Sequence, residues 1–244
     1  MAAQLLIHYC LVTLLLQDTY SYHRSFDLKI TAIIDPELDI GWISHVTVSL
    51  FYRRRLIGEK TRRNTYIILD KNNEACISLQ GVKIRDMIGF KAFMQRLMPK
   101  SEIIRQKEGQ TFITAAVDKD DNGHNLSVAI DLNDISSVSI SNVDCQATDE
   151  EVELTFKVLS LNPVDLPFGY CKFSLTKDET LLASLKGHFD IFPDYCDIDL
   201  TGTCEATDVK FAGSAILKGV QAFDHAGSWI DRAIQLFEVE IKLD

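Results

Sequence analysis

The chain has 244 residues, 46% of them hydrophobic and 25% charged, with a formal net charge of -10. Such an apolar content supplies the core of one large or two ordinary domains and excludes a disordered chain. The charge is uneven: residues 1–122 carry 17 Lys+Arg against 14 Asp+Glu, and residues 123–244 carry 8 against 21. An acidic balance argues against a nucleic-acid partner, whose phosphates call for clustered cations, so none is expected.

In chain order, Met1 to Leu16 forms an apolar run that stops at Gln17-Asp18. It is short for a membrane span and has no Lys or Arg ahead of it, so residues 1–25 read either as a signal- or anchor-like segment or as a first strand. Next, Phe26 to Ile34 alternates and breaks at Asp35-Pro36, as Val152 to Val158 runs on toward Asn162-Pro163. A proline removes a ladder donor and restricts the residue before it, so both read as strands stopped by an Asx-Pro step. Val46 to Tyr52 then matches Cys171 to Leu175, and Arg55-Leu56-Ile57-Gly58 matches Thr180-Leu181-Leu182-Ala183. These correspondences, at an offset near 127 residues, predict an internal repeat.

Leu79-Gln80-Gly81-Val82 and Leu217-Lys218-Gly219-Val220 each precede a helical stripe. Phe90, Phe93, Met94 and Leu97 stand at i, i+3, i+4 and i+7 before Pro99, and Trp229, Ala233, Ile234 and Phe237 repeat the pattern. Each stripe reads as a helix covering a sandwich edge or end. The other reading places an apolar ligand beside Phe90, Phe93, Trp229 and Phe237. Between the halves, Thr111 to Val117 and Leu126 to Ile130 flank Asn122-Gly123, a hairpin signature. The expected architecture is mainly β: two tandem antiparallel β-sandwich repeats, residues 26–122 and 123–244, each with one amphipathic helix.

The chemistry-bearing motifs are few. Arg53, Arg54, Arg55, Lys60, Arg62 and Arg63 form a basic patch, read either as a solvated hairpin guarding a strand edge or as a contact for anionic lipid or a protein partner. Asp118, Asp120 and Asn122 fit the opening of a calcium loop, but Ala129 stands where the bidentate Glu belongs and the flanks read as strands, so a hairpin turn is the stronger reading. Asn125-Leu126-Ser127 is a glycosylation sequon, meaningful only on a secretory route. Cys196 and Cys204 could bridge across a hairpin in an oxidising compartment, whereas in cytosol all six cysteines would be small core residues. The chain has no G-x-S-x-G elbow, H-x-x-x-H pair or phosphate-cradling glycine loop, so neither an enzyme nor a cofactor is expected.

The strand into Asn162-Pro163 with Leu166 and Gly169, its counterpart at Asp35-Pro36, and the Gly81-Val82 to Leu97 segment with Asp86 resemble the late embryogenesis abundant type 2-like domains. The resemblance is to the tandem-repeat, membrane-associated fungal members of unknown function; Asp224 offers a rougher match to Asp86, and Asp35 replaces the usual Asn. It implies sandwiches on the lumenal or outer side of a membrane, in a vacuole or along the secretory route, with a cytoplasmic location as the alternative. It also implies a non-catalytic role in lipid-surface or protein interaction, against which stands a soluble carrier of an apolar ligand.

Overall fold

The structure, a computed structural model, describes residues 12–18, 24–33, 42–66, 74–99, 111–119, 124–131, 138–162, 164–206 and 211–243. Contacts divide the chain into two compact units, residues 1–93 with 107–134 and residues 94–106 with 135–244. The first unit thus closes after residue 134, not after residue 122, because both arms of the Asn-Gly hairpin belong to one sheet.

In the first unit the strands are β1 (Val12–Asp18), β2 (Ser25–Ile33), β3 (Trp42–Tyr52), β4 (Arg55–Tyr66), β5 (Glu74–Ile84), β6 (Thr111–Lys119) and β7 (His124–Asp131). All pairings are antiparallel, in the order β7-β6-β3-β4-β5-β2-β1. Residues 12–18 of the apolar N-terminal segment are therefore a strand, Val12 opposite Ala32 and Asp18 opposite Phe26. Helix α1 (Met87–Leu97) follows β5, with Met87 to Phe93 in this unit. Its stripe is buried, with Phe90 stacked on Phe26 at 5.4 Å between ring centroids and Phe93 tilted against Tyr52 at 5.7 Å. Asp86 caps it: one carboxylate oxygen accepts the Gly89 N–H at 2.9 Å, satisfying an N-terminal donor with no partner inside the helix.

The second unit comprises β8 (Ser139–Ala147), β9 (Glu151–Ser160), β10 (Val164–Lys177), β11 (Thr180–Ile191), β12 (Asp194–Cys204), β13 (Gly213–Ala222) and β14 (Glu238–Leu243). Their order, again antiparallel, is β14-β13-β10-β11-β12-β9-β8. Strand for strand, this is the neighbour path of the first unit. β8 and β14, at the two ends of the path, come into contact, so the sheet curls around its apolar face. Alternate residues of β9 and β14 point inward and are buried, as the two-residue period of a half-covered strand demands. The core is aromatic at its centre: Phe173, Phe189 and Phe237 meet edge-on with centroids 5.2–5.5 Å apart, and Phe168 leans on Phe189 at 5.6 Å.

The helices do not correspond. α2 (Trp229–Ile234), capped by Ser228, lies between β13 and β14, whereas α1 lies between β5 and β6. β12, not β13, is the counterpart of β5 in the strand path, so the matched glycine-to-helix segments stand at different places in the two units. Phe237 lies beyond α2, immediately ahead of β14, and completes its stripe from the turn. Cys196 and Cys204 sit in one strand, β12, opposite Val158 and Ala183, and both are free thiols, so they do not bridge a hairpin. Among the described residues no helix is long and apolar enough to cross a membrane.

Candidate interaction surface

The basic patch is built by one hairpin. β3 and β4 pair from Trp42 opposite Tyr66 down to Tyr52 opposite Arg55, leaving Arg53 and Arg54 as a two-residue turn. Both central residues have positive φ, 48° and 64°, the left-handed conformation that such turns require. That conformation costs a side-chain-bearing residue about 1 kcal/mol or more, and Asn-Gly is its usual solution. Two arginines there hold their charge at the tip at a conformational cost.

The six cations are all exposed, but their settings differ. The Arg53 guanidinium lies 5.3 Å from the centre of the Tyr52 ring, close enough for a cation–π contact. Arg55 donates to the second Asp86 oxygen at 2.8 Å, tying the hairpin to the cap of α1. The Gly89 N–H and the Arg55 guanidinium together hold the Asp86 carboxyl below its ordinary pKa. Lys60 and Arg62, two residues apart on β4, flank a groove shared with Ser78, Leu79 and Gln80 of β5, and Arg62 donates to the Ser78 carbonyl at 3.0 Å. Arg63 stands opposite His45 in the ladder.

The second unit repeats the hairpin with the charge reversed. β10 and β11 turn at Asp178-Glu179, φ 48° and 66°. In both hairpins a bulge lies at the same distance from the tip. Leu50 opposes Gly58 while Phe51 opposes Leu56, and Leu175 opposes Ala183 while Thr176 opposes Leu181. The extra residues, Ile57 and Leu182, are each fully buried. The two bulges align at an offset of 125 residues, from Ile57 to Leu182, close to the offset of the Asx-Pro strands.

The other sequence candidates separate from this surface. Phe90, Phe93, Trp229 and Phe237 are at most 3% exposed and serve as core in their own units. Asp118, one residue before the end of β6, stands opposite Asn125, the second residue of β7, while Asp120 and Asn122 lie outside the described residues. Among the described residues no group of three or more His, Cys, Asp or Glu is placed to hold a metal ion.

In the sequence Cys171 opens the strand that matches Val46 to Tyr52. It is fully buried on β10, and burial, reinforced by Asp190, Asp224 and Asp231, pushes its thiol up to about 12. The thiol stays protonated in the folded chain while an unfolded one ionises near 8.5, so this group favours folding below that range and ceases to do so as pH rises toward 12. A thiolate-seeking reagent such as iodoacetamide at pH 8 is expected to modify exposed Cys76 in the native protein and to reach Cys171 only after denaturation. Peptide mapping after timed alkylation checks this; equal rates at the two sites would contradict the burial.

Fold and surface together define a mainly β protein of two antiparallel units, with seven strands in each among the described residues and a charged two-residue hairpin tip on each. Comparison with models of known protein families and with curated proteins finds no match.

Proposed function

We propose that the chain is a non-catalytic, tandem β-sandwich interaction module of the late embryogenesis abundant type 2-like kind, docking on anionic lipid surfaces through its β3–β4 hairpin. The carrying observation is the Arg53-Arg54 turn, where charged side chains occupy two left-handed positions that uncharged Asn-Gly would fill with less strain. Backbone strain retained at an exposed tip points to a role for the side chains. The shared strand path and paired bulges support the tandem reading, and the sequon at Asn125 suits a lumenal or extracytoplasmic location. The carrier reading has less support, because the aromatic rings proposed to hold its ligand are packed as core.

The test replaces Arg53→Asn together with Arg54→Gly, which keeps the turn and removes its charge. Each cation near an anionic membrane contributes about 1 kcal/mol, so binding to phosphatidylserine-containing vesicles is expected to fall about 30-fold while thermal stability holds or rises. Cosedimentation in low and high salt reads this out. Equal binding by the variant, or equal binding to neutral phosphatidylcholine vesicles, would count against the proposal.

A further inference from the structure

β4 and β5 are neighbours for only two residue pairs, Gly58 with Ile84 and Glu59 with Lys83. Beyond them β4 keeps β3 on one side, and β5 keeps β2 on one side, but among the described residues no ladder joins β4 to β5. The cause lies in β5. Phe26 opposes Val82 while Leu28 opposes Leu79, so β5 carries an extra residue against β2 at Gln80-Gly81. Gly81 has φ 63°, and its N–H is captured by the Asp27 carboxylate at 2.7 Å. A glycine bulge of this kind bends its strand, and this one lies just past the two pairs that β5 makes with β4.

The resulting cleft, about 460 Å³, is lined by consecutive residues of both strands, Lys60-Thr61-Arg62 and Ser78-Leu79-Gln80. Consecutive lining residues mean that the walls are strand edges, not sheet faces. Ser78 pairs with Lys29 of β2, and from the β4 side its carbonyl receives the Arg62 guanidinium, which spans the gap. Two open edges with main-chain donors and acceptors form a slot for an added strand. Lys60 and Arg62, separated by one residue, share a face of β4, so they would meet side chains two apart on an incoming strand.

We infer that this cleft takes an extended peptide segment bearing carboxylates at alternate positions, which adds as a strand between β4 and β5. Main-chain pairing holds the segment, and Lys60 and Arg62 select its acidic face. This site is separate from the Arg53-Arg54 tip, so the two proposals can fail independently.

The probe is a fluorescein-labelled heptapeptide of alternating Thr and Glu, titrated with the full chain and followed by anisotropy. Two controls accompany it: the same peptide N-methylated at alternate amides, which keeps every charge and removes donors, and the Lys60→Glu, Arg62→Glu double variant. Loss of several hydrogen bonds is expected to weaken the N-methylated peptide about tenfold or more, and the double variant is expected to weaken the parent peptide similarly. Arg53→Asn with Arg54→Gly should leave this binding intact. Hydrogen exchange at residues 60–62 and 78–80 should slow when the peptide is added. Equal binding of the N-methylated and parent peptides would reduce the site to simple charge attraction and overturn the inference, as would binding of neither or exchange protection confined to other strands.

Discussion

Phe189→Ala is expected to cost the second unit about 3–5 kcal/mol, the range for removing a buried aromatic ring from a packed core. Phe189 is fully buried and touches Phe168, Phe173 and Phe237, so its loss strips three ring partners at once and leaves a void that β strands on a common ladder cannot collapse into. Trp229, 3% exposed in the same unit, gives a local signal, and Trp42→Phe removes the other tryptophan. With a urea dependence of about 2 kcal/mol per molar, the unfolding midpoint should fall by about 2 M. A shift of less than about 0.5 M would mean that the phenylalanine cluster is not the centre of that unit's stability.

Gly202→Ala is expected to be at least as damaging, by a different route. Gly202 pairs with Leu185 across β11 and β12, and a Cβ there would land on the Ser184 carbonyl oxygen of the adjoining strand. The obstacle is main chain, held in the sheet on both sides, so it cannot swing aside as a flexible side chain could. Four pairs join β11 to β12, from Ala183 with Cys204 to Lys186 with Thr201, and relieving the overlap breaks that ladder. A destabilisation above about 4 kcal/mol, or failure to accumulate folded protein, is anticipated. Serine at the neighbouring exposed position, Thr201→Ser, is the control and should fold normally. A stable, soluble Gly202→Ala protein with native circular dichroism would show that the strands can separate enough to admit a methyl group.

Much of this fold was legible in the sequence, and the parts that were not have identifiable causes. The Asx-Pro strand ends and the apolar alternation of Phe26, Leu28, Ile30 and of Val152, Leu154, Phe156 are local signals, and the strands they indicate form. The helix correspondence misled because a glycine followed by an apolar stripe occurs twice for different reasons: Gly81 makes a bulge in β5, whereas Gly219 sits under the Ile234 carbonyl, where a side chain would not fit. The cysteine bridge misled because spacing along the chain does not reveal whether a turn intervenes, and β12 runs straight through both residues. The basic patch was readable as composition, but not its division into a strained tip, a helix-cap tie at Arg55 and a cleft wall at Lys60 and Arg62. That division depends on register across β3, β4 and β5, which no single-strand pattern encodes.

The paired bulges bear on how this chain can change. A point substitution alters a side chain but not the number of residues between two ladder contacts, so no single exchange can erase the surplus residue at Ile57 or Leu182. Deleting Ile57 would draw Leu56 into its buried place and carry the arginines of the tip out of their turn. The frame of these two hairpins thus resists insertion and deletion but not exchange at the tip, where one carries Arg-Arg and the other Asp-Glu.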